Sequence, residues 1–293
     1  MIPGFLKAAL EKKLSANFNF PVVIADHKPL SGGCINSCFR LQTSAGNLFL
    51  KYNYSGRYPH MFEDEANGLQ VLAGANAFSI PGVIATGEAD DISYLILEWI
   101  EPAKRIGNFW QEFGRSLAKL HRSTAGEFGL GFNNYIGSLV QSNRSHKRWV
   151  DFFIQERLEP QIRLGLDSGI VGHADVVLFN KLFSRLDDIF PVENPALLHG
   201  DLWSGNFLTD KTGNATLIDP AVYYGHREMD LGMTKLFGGF DAEFYAAYSE
   251  MFPLEAGFEK RVDIYNLYPL LVHVNLLGGD YIHQVQKILE RYS

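Results

Sequence analysis

Cysteine is nearly absent from this 293-residue chain, which holds only Cys34 and Cys38. Their spacing matches no common zinc pattern and offers no disulfide framework. That excludes a disulfide-stapled secreted scaffold and points to a reducing compartment, the cytoplasm. No apolar run approaches the roughly 20 residues that span a bilayer, so no membrane helix is expected. Segment 1–14 sets lysines among short apolar pieces and lacks the continuous apolar stretch and cleavage site of a signal peptide. A basic surplus is also missing: 26 Lys and Arg stand against 33 Asp and Glu, for a formal net charge of −7. This argues against a nucleic-acid partner, whose phosphates require a basic face. The acidic balance is compatible with an amine-bearing substrate and equally with an ordinary solvated surface. Repeats, low-complexity tracts and long linkers are lacking, and no Gly-Lys-Ser/Thr completes a Walker A loop.

What is present is enough apolar material, 46% of residues, for one large or two medium domains. Residues Phe5, Leu6, Ala9, Leu10 and Leu14 recur at helical spacing. A strand is expected over 21–24. Residues 29–42 read as a strand, a glycine turn and a returning strand, and a second turn at 44–47 leads into a third strand, 48–52, which carries Lys51. A helix is expected over 59–72, with Phe62, Ala66, Leu69 and Leu72 on one face. Strand-like stretches follow at 83–87 and 93–100. Helical patterns then dominate, at 109–121, 148–164, 174–189, 240–251 and 255–277. The expected fold is α+β and two-lobed, with a mostly antiparallel sheet and a helix in residues 1–98 and a mainly helical lobe in residues 99–293. The boundary falls between Glu98 and Pro102.

One segment interrupts the helical half with chemistry. His199-Gly200-Asp201-Leu202-Trp203-Ser204-Gly205-Asn206 contains Asp-x4-Asn, and a short apolar run at 215–218 then ends in Asp219. This is the spacing of a phosphotransfer loop, in which the Asp orients an attacking hydroxyl while the Asn and a second Asp supply oxygens to Mg²⁺. Mg²⁺ prefers hard oxygen ligands and keeps part of its water shell, so two protein groups suffice beside a nucleotide's phosphates. Asp201 is the candidate catalytic residue, and Asn206 and Asp219 are the candidate metal ligands. Asp, Asn and Gly also populate ordinary turns, but the ordered combination is more specific than any one of them.

Further parts fall in the same chain order. Gly32 and Gly33 lie between two strands, where backbone N–H groups can approach phosphates, although a plain hairpin turn would look the same. Lys51 can reach those phosphates if a carboxylate on the following helix holds it. Glu65 shares the helix with the apolar face, while Glu63 and Asp64 compete for the role. Glu98, Trp99 and Ile100 form a hinge whose backbone groups can pair with adenine.

In this order the residues resemble the protein-kinase-like phosphotransferases and, within them, the fructosamine kinase (ketosamine-3-kinase) family. The resemblance covers nearly the whole chain. It rests on the 199–206 segment, on Ile218-Asp219-Pro220-Ala221, on Tyr224-Gly225-His226-Arg227-Glu228-Met229-Asp230-Leu231 and on Lys235-Leu236-Phe237-Gly238-Gly239-Phe240. Leu30-Ser31-Gly32-Gly33-Cys34-Ile35-Asn36 and Phe49-Leu50-Lys51 look like the family's nucleotide loop and lysine strand. Trp203 and the Tyr-Gly-His segment are more specific than His-Gly-Asp, which aminoglycoside and choline kinases share.

The resemblance implies ATP-dependent, Mg²⁺-assisted phosphorylation of the 3-hydroxyl of sugar ketoamines on small amines or protein lysines. The unstable product then regenerates the amine, which is deglycation. It implies roles for Asp201, Asn206, Asp219, Lys51 and Glu65 as above, with Gly32 and Gly33 covering the phosphates. Trp203 is either an apolar wall for the sugar or a core residue. His226 either contacts substrate or caps a turn. His199 and Asp230 brace the loop, and His121 packs within its helix. Cys34, inside the nucleotide loop, is either an exposed, oxidisable thiol or a small half-buried residue. The alternatives are a kinase for aminoglycoside, choline or homoserine and, disfavoured by the complete set of site residues, a non-catalytic nucleotide-binding scaffold. The choice among ribulosyl, erythrulosyl and fructosyl adducts stays open.

Overall fold

The computed structural model describes residues 2–30 and 35–292. Gly32, Gly33 and Cys34 lie outside the described residues. The first 98 residues build a five-stranded antiparallel sheet from β1 (Ile24–Pro29), β2 (Ser37–Thr43), β3 (Gly46–Tyr54), β4 (Val83–Ala89) and β5 (Ile92–Glu98), in spatial order β1-β2-β3-β5-β4. Helix α1 (Gly4–Phe18) covers one face with Leu6, Leu10 and Leu14. Phe5, expected on that face, is instead exposed. The expected strand at 21–24 begins only at Ile24. Val22 and Val23 give their N–H groups to the side chains of Ser15 and Ser44 and so are spent outside the ladder.

Strand periodicity then decides what Lys51 meets. Leu48 and Leu50 point into the α1 core. Phe49 and Lys51 point the other way, toward α2 (Met61–Gly74), whose Met61, Phe62, Ala66 and Leu69 pack against Phe49, Leu95 and Leu97. Lys51 pairs across the ladders with Cys38 and Leu95, in the middle of the sheet.

After Glu98 the chain is mainly helical. Helix α3 (Phe109–His121) buries Phe113, Leu117 and Leu120. A hairpin of β6 (Asn134–Ile136) and β7 (Leu139–Gln141) follows. The expected helix at 148–164 is split into α4 (Trp149–Phe152), a π-helical segment Phe153–Leu158, and α5 (Glu159–Asp167). The cause is Pro160, which has no N–H for the carbonyl of Glu156; the Arg157 guanidinium takes that carbonyl at 3.0 Å. The expected helix at 174–189 divides into α6 (His173–Phe183) and α7 (Leu186–Ile189).

Two short ladders come next, β8 (Ala196–Leu198) with β11 (Tyr223–Gly225) and β9 (Phe207–Thr209) with β10 (Ala215–Leu217). Then follow α8 (Glu228–Leu236), α9 (Ala242–Met251), α10 (Phe258–Tyr265), α11 (Leu267–Leu277) and α12 (Tyr281–Tyr292). The single helix expected at 255–277 breaks at Asn266, because Pro269 leaves the carbonyl of Tyr265 without a helical donor. Gly114 lets α3 and α9 approach so closely that a Cβ there would meet the carbonyl oxygen of Phe244. Among the described residues no helix is long and apolar enough to cross a membrane.

Candidate active site

The two short ladders present two loops side by side. Residues 199–206 run from β8 to β9, and residues 218–222 run from β10 to β11. Backbone bonds zip them together, from Ile218 N–H to Asn206 O (3.1 Å) and from Ala221 N–H to His199 O (2.9 Å). The buried His199 ring adds a third tie. Its Nε2 donates to the carbonyl of Ile218 at 2.9 Å, while its Nδ1 accepts from the N–H of Asp201 at 3.3 Å. One donating and one accepting nitrogen describe a neutral imidazole, and burial pushes the His199 pKa down in the same direction.

Gly200 lies at φ +82°, and a Cβ there would run into the carbonyl oxygen of Ala221. No other residue fits this turn without moving the paired loop. Asp230, at the start of α8 and 1% exposed, accepts from the N–H groups of His199 (2.8 Å) and Gly200 (2.9 Å). His121 Nε2 lies 3.2 Å from the same carboxylate, and its Nδ1 lies 2.9 Å from the hydroxyl of Tyr248. Burial alone would raise the Asp230 carboxyl. The contact with His121, foremost its hydrogen bond, and the backbone N–H of Gly200 reverse this and hold it below its ordinary value. Asp230 is therefore an ionised brace for the loop, with its lone pairs already spent on the protein.

Asp201, Asn206 and Asp219 face one cleft. Asn206 Nδ2 donates to both the backbone oxygen and the carboxylate of Asp201, at 2.8 Å each. Its Oδ1 accepts no hydrogen bond from the described residues. Asp219 adopts φ +52°, a left-handed conformation that Asp tolerates better than most residues. This turn delivers its carboxylate to Lys51, with Nζ to Oδ1 at 2.6 Å. Lys51 Nζ also meets Glu65 Oε1 and Oε2 at 2.9 and 3.1 Å. One cation from the sheet is thus clamped between a carboxylate of α2 and a carboxylate of the helical half. Burial by itself would lower the lysine's pKa; Asp219 and Glu65 more than reverse this and hold it above its usual range. Burial pushes Asp201 up to about 7, opposed by Asn206 and assisted by the charges of Asp219 and Asp230.

The cleft measures about 490 Å³ and contains Lys51, Glu65, Asp201, Trp203, Asn206 and Asp219 in its walls. Trp203 is 37% exposed, set edge-on to Phe237 at 6.1 Å, and its ring lies over Gly205, where a Cβ would clash. It is a wall of the cleft and no part of a core. Of the three acids at the start of α2, Glu65 is the one bonded to Lys51; Glu63 is exposed and paired with His60, and Asp64 makes no bond to Lys51 among the described residues.

Other expected positions differ. His226 does not line the cleft. It is buried, stacked on Trp149 at 4.6 Å, with Nδ1 3.0 Å from the hydroxyl of Tyr265. Burial, helped by Arg261 and Arg227, pushes its pKa down to about 3, so it is a neutral core residue and neither a substrate contact nor a cap. Glu98 ends β5, Trp99 and Ile100 follow it, and none of the three lines the cleft described above. The Glu98 N–H is spent on Gly82 O at 2.8 Å. Trp99 donates Nε1–H to Glu101 at 2.8 Å, and Arg40 lies over its ring.

Sequence reasoning missed Arg57, Tyr135 and His273, which also line the cleft. His273 donates Nδ1–H to Pro269 O at 2.7 Å. The available signal was a histidine inside the apolar run Leu270-Leu271-Val272-His273-Val274.

A family model described as fructosamine kinase matches residues 6–293. A Synechocystis protein named probable ketoamine kinase is 38% identical over 283 residues, covering 96% of this chain and 95% of its own. An Arabidopsis thaliana protein named protein-ribulosamine 3-kinase, chloroplastic, is 39% identical over 271 residues, covering 90% of this chain and 81% of its own. Among solved structures, a Thermobifida fusca protein assigned as a fructosamine-3-kinase superposes with a TM-score of 0.86 at 31% identity, covering 96% of this chain and 97% of the other. An aminoglycoside phosphotransferase in ternary complex with AMP-PNP and hygromycin B superposes at 0.65 with 19% identity, covering 96% and 98%. That likeness concerns the fold alone, which is the two-lobed protein-kinase-like one.

Proposed function

The chain belongs to the fructosamine kinase family, and on that premise we propose that it transfers a phosphoryl group from ATP to the 3-hydroxyl of a sugar ketoamine. The acceptor is a fructosamine or ribulosamine borne by a small amine or a protein lysine, and the phosphorylated product breaks down to free the amine. The observation that carries this reading is the clamp on Lys51, held by Glu65 and Asp219 at 2.9 and 2.6 Å, in the same cleft as Asp201 and Asn206.

Residues 1–98 form the nucleotide-binding lobe, and the hinge 98–100, beyond the cleft wall described above, is where the adenine edge would reach. Residues 99–293 carry the catalytic loop and the acceptor site. An ATP-containing compartment, such as the cytoplasm, suits this chemistry.

The donor set fits Mg²⁺. Asn206 Oδ1 accepts no hydrogen bond from the described residues, and the Asp219 carboxylate is 45% exposed toward the cleft. Among the described residues no three His, Cys, Asp or Glu side chains gather into a metal cluster, and a magnesium nucleotide requires none, because phosphates and waters complete its octahedron. When bound, the metal neutralises phosphate charge. Lys51 keeps its proton and places a positive charge at the phosphates, while Glu65 fixes its position. Asp201 orients the acceptor hydroxyl and accepts its proton. Asn206 steers that carboxylate through the 2.8 Å bond from Nδ2. His199 and Asp230 hold the loop, and Trp203 gives the acceptor an apolar wall. Positioning and charge account for most catalysis in phosphoryl transfer, and this loop is rigidly braced for that task.

With Mg²⁺ and ATP, turnover is expected on ribulosyl-lysine or fructosyl-lysine, and none on kanamycin, choline or homoserine, measured as ADP release. Turnover confined to kanamycin would replace the ketoamine reading with an aminoglycoside one.

A further inference from the structure

Along the cleft wall, which includes Asn134 and Ala221, runs a buried polar network that the chemistry above does not use. Asn134, Gln141 and Asn143, on and beside the β6–β7 hairpin, are 4%, 2% and 1% exposed. Buried amides are costly unless every donor and acceptor is met, and these are met in one particular way. Asn134 Nδ2 donates to Val222 O at 2.8 Å, and Gln141 Nε2 donates to Ala221 O at 3.0 Å. Gln141 Nε2 and Asn143 Nδ2 both donate to Asn134 Oδ1, at 2.8 and 3.1 Å. The Tyr268 hydroxyl donates to Gln141 Oε1 at 2.7 Å. Backbone carbonyls only accept, so the two bonds to residues 221 and 222 fix which end of each amide faces them.

Those carbonyls belong to the stretch between Asp219 and β11, ahead of the ladder that begins at Tyr223. Ala221 is its node. Its N–H bonds His199 O at 2.9 Å, its carbonyl packs against Gly200, and the same carbonyl takes the bond from Gln141. Gln141 is therefore one hydrogen bond from a residue tied to both Asp219 and the Asp201 loop. The network is anchored from outside by Arg157. Its Nη2 donates to Asn143 Oδ1 at 2.7 Å and its Nη1 to Ser142 O at 2.6 Å, and its guanidinium lies 3.9 Å from the Tyr223 ring centroid. Arg157 is aimed inward by the π-helical segment, and such widened turns recur at functional sites. On the same hairpin, Asn134 itself and the adjoining Tyr135, Ile136, Gly137 and Ser138 line the cleft.

We infer that Gln141, supported by Asn134 and Tyr268, is a positioning residue that sets Asp219 and Asp201 relative to each other. The inference rests on the phosphotransfer reading of those two carboxylates. Without the Gln141 donor, the buried Ala221 carbonyl must find another partner, and the stretch between Asp219 and β11 moves with it. A displacement of about 1 Å at a reacting group costs on the order of 10²-fold in rate.

The test is steady-state kinetics and thermal unfolding of Gln141→Met, beside Gln161→Met as a matched control. Gln161 is another buried amide, bonded to Asn275 at 2.8 Å and outside the cleft wall. Gln141→Met is expected to lower kcat by about 10–10²-fold with KM for ATP and acceptor unchanged, and Gln161→Met to lose Tm while keeping kcat. A folded Gln141→Met with wild-type kcat overturns the inference, as does an equal kcat loss in Gln161→Met. If Gln141→Met does not fold, Tyr268→Phe decides, because it removes only the hydroxyl that anchors Gln141. A lower kcat at unchanged KM supports the inference, and a wild-type kcat overturns it. Each rate is taken relative to wild type on whichever acceptor the panel identifies, so a wrong acceptor class and a wrong positioning role give different results.

Discussion

Asp201→Asn is expected to lower kcat by about 10²–10⁴-fold, the usual worth of a positioned general base, while ATP binding measured by calorimetry stays close to wild type. The amide keeps the shape of the carboxylate but cannot take the hydroxyl proton. The pH dependence follows from burial, which raises Asp201 to about 7. Wild-type kcat/KM should fall about ten-fold per unit below that value and level off above it, and the variant should lose this limb. The stability effect has the opposite sense. A carboxyl whose pKa is higher in the folded than in the unfolded chain favours folding while protonated, and that contribution is lost as pH rises through about 7. The Tm of Asp201→Asn relative to wild type should therefore rise between about pH 4 and pH 7 and stay constant above. A variant with near-normal kcat would remove Asp201 from the mechanism.

Lys51→Met should cost both function and fold, and the two losses separate. Lys51 and Glu65 side chains are 5% and 11% exposed. Removing one partner of a buried ion pair typically destabilises by about 3–5 kcal/mol, because the remaining charge must be buried alone or neutralised. The cationic contact to the phosphates goes as well, which should lower kcat/KM by about 10²–10³-fold and raise KM for ATP. Lys51→Met combined with Glu65→Leu removes the stranded carboxylate, so Tm should recover much of its loss while activity does not. Recovery of activity along with Tm would mean that Lys51 serves only the fold.

The parts of this site that local periodicity controls were legible in the sequence. Alternation along β3 puts Lys51 on the α2 face with Phe49. Helical spacing puts Glu65 between Phe62 and Leu69 on the apolar side, while Glu63 turns out to solvent and pairs with His60. The Asp-x4-Asn spacing brings Asp201 and Asn206 into hydrogen-bond contact. What packing between distant segments decides was not legible. His226 sits in a run that reads as a site, yet the ring meets Trp149 and Tyr265, which are remote in sequence. His273 sits in a run that reads as core, yet it faces the cleft. Gln141 carries no motif at all, since its partners are the Ala221 carbonyl, the Asn134 side-chain oxygen and a tyrosine hydroxyl, all from other elements. Two helix breaks are present in the sequence as Pro160 and Pro269, but the apolar spacing continues through them and masks them.

The most direct test follows the phosphate. With ATP, Mg²⁺ and ribulosyl-lysine, ³¹P NMR and amine analysis of one reaction should show a phosphate ester on the sugar 3-oxygen, then free lysine appearing in step with ADP, and neither with Asp201→Asn. A stable ester on another hydroxyl, or ADP released with no lysine regenerated, would contradict the assignment of this chain as a ketoamine 3-kinase.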